Sequence, residues 1–234
     1  MRSAFPGFPA EAIDFFRGLA RNNKREWFQP RKPLFEERVK QPMRALVEAV
    51  NRALMDFAPE FVTEPEKAVY RIYRDTRFSK DKSPYKTQIA ASFRYRDTGA
   101  GYYFAISHKE AAIGGGMYMP EPAALTVIRN HIAERHGDLR RILRARPVRE
   151  LLGELRGEQL SRVPKGFASD HPAADLLRFK QFILYVELPP EIATTPAFYT
   201  EIVQRFRAMK PFLEFLSAPL KTTRKKIDAR ELLV

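Results

Sequence analysis

The spacing of apolar residues changes twice along the 234-residue chain. Before about residue 57 and after about residue 121, apolar side chains recur at helical spacing, whereas between residues 69 and 117 they mostly alternate with other residues. A period of two predicts strands, and short links between consecutive strands favour antiparallel pairing. The sequence therefore predicts an α+β fold.

Five segments have the composition and spacing of strands, namely residues 69–75, 87–96, 102–108, 111–117 and 182–188. Helices are predicted around them, and we expect Pro42 and Pro211 to bend or interrupt two of these helices. The chain contains no repeat and no low-complexity linker. Residues 1–220 are accordingly predicted to form a single α+β domain, a mainly antiparallel sheet of about five strands covered by helices. Residues 221–234 are predicted to form a basic C-terminal tail.

Composition restricts the chemistry that is open to the chain. It has no cysteine, which excludes disulfides, thiolate nucleophiles and cysteine-ligated metal centres. Its apolar runs are far shorter than the ~20 residues of a membrane span, and its N-terminus lacks the apolar stretch of a signal peptide. The histidines have no metal-ligand spacing, since His131 and His136 are five residues apart. We therefore expect a cytoplasmic protein with no membrane partner and no metal site.

Positive charge is concentrated in one part of the chain. The whole sequence has a net charge of +13, and residues 66–96 hold nine basic and three acidic side chains, or +6. Such an excess favours an anionic partner. Arginine offers a planar fork for phosphate or carboxylate, and lysine a mobile point charge. The candidate ligand-binding residues in this segment are Arg71, Arg74, Asp75, Arg77, Lys80, Asp81, Lys82 and Lys86.

Two interpretations of this segment remain open. In the first, the cations form an anion pocket, and Asp75 and Asp81 orient them or hold a metal together with a phosphate. In the second, the same residues form a salt-bridged loop that pins two strands, since surface charge runs are usually solvated.

Two further features are candidates for the other wall of such a pocket. Three glycines at residues 114–116 end a predicted strand, and of these Gly115 and Gly116 are candidate ligand contacts. Their alternative role is a bulge or a sharp strand exit. Lys165, which precedes a glycine, is the other candidate.

These motifs carry a family resemblance. In chain order they are Asn22-Asn23, Trp27-Phe28, residues 74–86, the glycines 114–116 and residues 164–167. Over roughly residues 8–220 the sequence resembles the conserved-hypothetical family catalogued as domain of unknown function 2461, found in bacteria and fungi. The resemblance implies a single domain and makes residues 74–86 a family hallmark. It implies no established activity, so no catalytic residue is carried over.

Three functions follow as hypotheses. The first is binding of a phosphorylated or nucleotide-like anionic ligand through a basic loop at residues 71–86, with enzymatic activity, catalytic residues and cofactor all undetermined. The second is a nucleic-acid-binding module, suggested by the net charge and by strands that interleave arginine with tyrosine and phenylalanine. The third is a non-catalytic protein-interaction domain whose basic surface docks an acidic partner.

Overall fold

The computed structural model describes residues 5–77, 80–95 and 98–231, with side chains as far as residue 221. Its helices are α1 (Ala10–Arg21), α2 (Arg25–Phe28), α3 (Lys32–Phe35), α4 (Gln41–Phe57), α5 (Pro65–Ala68), α6 (Pro122–Arg144), α7 (Arg146–Leu151), α8 (Ala174–Leu177) and α9 (Ala197–Glu231). Its strands are β1 (Gln88–Arg94), β2 (Gly101–Ser107), β3 (Ala111–Met117) and β4 (Phe182–Leu188). The predicted α+β class is confirmed.

The strands form one open antiparallel sheet in the order β1-β2-β3-β4. A tight turn joins β2 to β3, in which the Ser107 hydroxyl accepts the backbone N–H of Lys109 at 3.0 Å and of Glu110 at 3.1 Å. After β3 the chain runs through α6, α7 and α8 before β4 pairs beside β3. Every residue of β3 is buried.

One of the five predicted strands, residues 69–75, is not a strand in the described structure. This segment makes only two isolated antiparallel bridges, Val69 with Ala91 and Tyr73 with Tyr85. The two bridges are four residues apart in the first segment, from 69 to 73, but six residues apart in the facing segment, from 85 to 91. The facing segment therefore has two extra residues, which bulge out and interrupt the ladder. Pro84 also has no N–H to donate. The prediction of about five strands is therefore corrected to four.

Two prolines have different effects on the helices. As predicted, the helical pattern is interrupted at Pro42, because a π-helical turn over Glu36–Lys40 ends immediately before α4, which has Pro42 in its first turn. At Pro211, where a bend or an interruption is predicted, the helix is not interrupted, since α9 continues past it to Glu231. Buried side chains on both sides of this proline, including Met209 and Phe212, hold the helix in place. The predicted tail begins within α9, and its side chains beyond residue 221 lie outside the described ones.

Among the described residues, no helix is both long enough and apolar enough to cross a bilayer.

The chain divides into two compact units. The first comprises residues 1–93, 103–113 and 187–204, and the second residues 94–102, 114–186 and 205–234. The basic loop at residues 71–86 belongs to the first unit, whereas Gly115, Gly116 and Lys165 belong to the second. The assignment of residues 1–220 to a single domain stays a prediction.

Each unit has its own aromatic core. In the first unit Phe28 stacks on Tyr85 with ring centroids 4.1 Å apart. Phe15 and Phe35 also pack against the Phe28 ring. In the second unit Tyr102 of β2 stacks on Phe206 of α9 at 4.3 Å. Stacked and tilted aromatic pairs contribute about 0.5–1.5 kcal/mol each beyond the area that they bury.

The glycines of β3 allow neighbouring elements of the second unit to approach closely. A Cβ on Gly114 would lie 2.9 Å from the Leu184 carbonyl oxygen, and a Cβ on Gly115 would lie 2.9 Å from the Met209 Sδ. A Cβ on Gly116 would overlap the Phe182 carbonyl oxygen. The glycine run is therefore explained by packing of β3 against β4 and α9, which favours the structural alternative for Gly115 and Gly116.

We predict that Gly116→Ala destabilises the protein by about 3 kcal/mol, because the new methyl group collides with β4 and Gly116 has a φ of +140°. Gly166→Ala is the matched control, since Gly166 also has a positive φ, +95°, but open space around its Cβ position. We expect the control to cost about 1 kcal/mol. Urea unfolding of the two variants measures both values, and equal losses would contradict the packing argument.

Candidate functional site

The basic loop, residues 71–86, has two paired arms and a turn-rich tip. The Arg74 N–H donates to the Pro84 carbonyl at 2.9 Å, and the Lys86 N–H donates to the Ile72 carbonyl at 2.8 Å. At the tip the Asp75 carboxylate accepts the backbone N–H of Arg77, and the Asp81 carboxylate accepts that of Ser83. Such turns fix the backbone with short polar side chains. Residues 78 and 79 of the predicted motif lie outside the described residues.

Uncharged contacts anchor this loop to the helical part of the first unit. The Asn23 side chain binds both backbone groups of Tyr85, donating to its carbonyl at 2.9 Å and accepting its N–H at 3.1 Å. The Tyr85 ring stacks on Phe28. The sequence assigns no role to Asn23, although Asn23 and Phe28 both lie in motifs that carry the family resemblance. The structure shows that these motifs meet the loop and position it.

The Tyr85 side chain is part of this anchor. Burial raises the pKa of its phenol above the usual value, and the neighbouring Tyr73 raises it further. The phenol therefore stays protonated at neutral pH and contributes no negative charge to the loop.

The two aspartates of the loop are engaged with arginines. Arg74 forms an ion pair with Asp81, and Arg77 pairs with Asp75 at 2.8 Å. The side-chain hydrogen bond from Arg77 lowers the pKa of Asp75, while Ser83 is the largest cause of the lowered pKa of Asp81. This arrangement agrees with the salt-bridged interpretation for four of the eight candidates. Exposed pairs of this kind contribute little stability, typically about 0–1 kcal/mol.

Lys86 differs from the other cations of the loop. Because it lies opposite Ile72 in the register of the arms, Tyr70 and Arg74 are its diagonal neighbours. Its Nζ lies 5.2 Å from the centre of the Tyr70 ring. Burial lowers the pKa of Lys86, and Arg71 and Arg74 lower it further. Within the described part of the chain Lys86 has no ion pair, so its charge is offset by no carboxylate.

The remaining candidates are more dispersed. Lys82 donates to the Thr76 carbonyl at 2.8 Å, and Lys80 is exposed at the tip. Lys165 is exposed in the second unit, where Gly115 and Gly116 are buried in β3. The structure thus places Arg74 as a diagonal neighbour of Lys86 in the first unit, and Arg71 is close enough to lower the pKa of Lys86. The inclusion of Gly115, Gly116 and Lys165 in the same ligand site stays a prediction.

We predict that Asn23→Ala destabilises the protein by about 2 kcal/mol, because it removes two hydrogen bonds and leaves half-buried backbone groups of Tyr85 without them. The adjacent Asn22→Ala is the control, since Asn22 makes a single exposed side-chain bond to the Gly18 carbonyl. It is expected to cost less than about 1 kcal/mol. Denaturant unfolding compares the two, and a smaller loss for Asn23→Ala would show that the loop is anchored elsewhere.

Comparison with known proteins gives one match. The family model described as a conserved hypothetical protein (DUF2461) matches residues 11–215. No curated protein and no solved structure matches the chain. The matched segment covers most of the sequence, and it includes Asn23 and Phe28, the basic loop and all four strands. The chain therefore belongs to this conserved hypothetical family, as its motifs indicate.

Proposed function

We propose that the protein binds a phosphorylated or nucleotide-like anionic ligand at the basic loop, with Lys86 and Arg71 as its charged contacts and Arg74, which pairs with Asp81, beside them. The observation that carries the proposal is the placement of Lys86, a half-buried cation beside Arg74 and the Tyr70 ring that pairs with no carboxylate of the described residues. A cation in such a place is unfavourable unless an anion joins it.

The charge balance of the loop supports this ligand class. Its six cations and two carboxylates leave a net charge of +4. The two aspartates already occupy Arg74 and Arg77, so the excess lies on Arg71 and the three lysines. Phosphate oxygens accept both the planar fork of arginine and the point charge of lysine. An anion beside Lys86 would favour its charged form and raise its lowered pKa.

The same loop offers an aromatic surface for a nucleotide-like ligand. The Tyr73 side chain is 46% exposed, although its ring contacts Tyr85 and Phe28. An exposed ring held by packing is suited to stacking against a base. The proposal assigns no reaction and no cofactor, and it places the protein in the cytoplasm.

We predict that Lys86→Gln and Arg71→Gln each weaken binding of inorganic pyrophosphate and of adenosine monophosphate tenfold or more. Removal of one charge-assisted hydrogen bond costs about 1.5–3 kcal/mol, which corresponds to this loss of affinity. Isothermal titration calorimetry at about 0.15 M salt measures it under conditions that screen exposed charges. Lys109→Gln is the matched control, because Lys109 is an exposed lysine in the β2–β3 turn of the first unit.

Three results would contradict the proposal. The first is that the wild-type protein binds neither probe. The second is that the Lys86→Gln and Lys109→Gln variants bind the probes with equal affinity. The third is tight binding of short single-stranded DNA with a steep loss of affinity as salt rises, without binding of the small probes. That result would support the nucleic-acid alternative. Binding of an acidic protein alone would support the interaction-domain alternative.

A further inference from the structure

A second basic feature lies in the other unit, on the C-terminal part of α6. There an open pocket of about 620 Å³ is lined by His136, Gly137, Arg140, Arg141, Arg144 and Ala145. The helix is interrupted directly before it, since Arg135 has φ −127° and ψ 29°. Gly137 contributes no side chain, and a Cβ at this position would meet no atom of the described side chains and backbone within 4 Å. The volume is within the range of small-molecule sites, about 300–1,000 Å³.

The cations of this pocket are arranged along one face of the helix. His136, Arg140 and Arg144 follow one another at intervals of four residues, which places them about 6 Å apart on the same side. The Arg140 guanidinium is held in position by two hydrogen bonds to Asp175, at 2.7 and 3.1 Å, and by one to the Pro172 carbonyl at 3.0 Å. Asp175 accordingly has a lowered pKa, caused first by its hydrogen bond from Arg140.

Arg144 is the cation that the fold leaves available. Arg141 pairs with Asp138 at 2.7 Å, and Arg135 pairs with the same carboxylate. In the described part of the chain Arg144 has no ion pair and no side-chain hydrogen bond, and it is exposed beside the pocket. Its whole planar fork is therefore free to bind an oxyanion bidentately.

The local charge suits a doubly charged anion. Four arginines and two aspartates give an excess of two positive charges, the residues being Arg135, Arg140, Arg141, Arg144, Asp138 and Asp175. A phosphate monoester carries about −1.5 to −2 near pH 7. A carboxylate carries half of this charge, and arginine is better matched to the planar, bidentate recognition of phosphate than lysine is.

Two histidines are close to this pocket, since His136 lines it and the His171 ring lies beside the His136 ring. The His171 Nδ1 accepts the Ala173 N–H at 3.0 Å, so the neutral ring carries its proton on Nε2. The His136 ring lies 6.1 Å from that of His171. Among the described residues the His136 Nδ1 has no hydrogen-bond partner, although it is buried. A proton there would be an unpaired buried donor, so the neutral His136 ring is also expected to carry its proton on Nε2.

We infer that this α6 pocket binds the phosphate monoester group of a small molecule, with Arg144 as its bidentate contact and Arg140 as a fixed second cation. The inference does not rest on the function proposed for the basic loop, because every residue that it uses belongs to the second unit. The expected ligand of the α6 pocket is a phosphorylated small molecule, and we use glycerol 3-phosphate as the probe.

The test is a titration of the full chain with glycerol 3-phosphate at constant ionic strength, followed by the imidazole signals in the NMR spectrum. The protein has four histidines, so each signal can be assigned by one His→Gln variant. We expect saturable shifts for His136 and His171. His108 in the first unit and His131, whose ring packs on Phe215, are internal controls that should not shift.

Two kinds of variant locate the site. Arg144→Gln should weaken the apparent affinity about tenfold or more, which is the usual effect of losing one bidentate charged contact. Gly137→Leu should abolish binding by filling the pocket without changing the charge, whereas Gly137→Ala should bind nearly as the wild type does. Lys86→Gln should leave these shifts unchanged, which separates this site from the basic loop.

Several outcomes would overturn the inference. Unmoved His136 and His171 signals would exclude the site, and wild-type affinity of Arg144→Gln would reduce this arginine to a cation that stabilises the helix C-terminus. If Gly137→Leu does not fold, the Arg144→Gln comparison still decides. Shifts caused by single-stranded DNA but not by glycerol 3-phosphate would identify a nucleic-acid backbone surface instead.

Discussion

The close approach of β4 to the glycines of β3 is the constraint on which the second unit depends. Gly114 and Gly116 face the backbone of β4, and Gly115 faces Met209 of α9 and a carbonyl of β2. Any side chain at Gly116 would force β4 away, because backbone atoms cannot rotate aside as a side chain can. The chain between β3 and β4 forms α6, α7 and α8, and it therefore includes the α6 pocket.

The basic loop is positioned by neutral contacts, which leaves part of its charge available. The Asn23 hydrogen bonds and the Phe28–Tyr85 stack fix the chain at Tyr85, directly after Pro84. The exposed ion pairs at the tip add little stability and consume only two of the cations. Fixed backbone geometry is what a binding site requires, because cations that are already positioned lose less entropy when a ligand binds.

The two proposed sites differ in how visible they are in the sequence. The loop shows itself as a dense run of arginine and lysine, whereas the arginines of α6 are spread at helical spacing among apolar residues. Residues 122–144, which form α6, hold five arginines, no lysine and two acidic side chains, a net charge of +3. Which of these arginines is left without a partner depends on Asp175, a residue of α8 that is distant in the chain.

The sequence alone determined the features that depend on neighbouring residues. Apolar spacing and residue composition predicted the α+β class and the segments of all four strands, and the missing N–H of Pro42 marked the interruption before α4. The tertiary structure decided whatever depends on partners elsewhere in the chain. Residues 69–75 alternate as a strand does, yet two extra residues in the facing segment break the ladder. Pro211 stays within a helix because packing on both of its sides outweighs the lost hydrogen bond. Composition likewise placed the cations in one segment, but only folding determined that Asp81 neutralises Arg74 while Lys86 pairs with no carboxylate of the described residues.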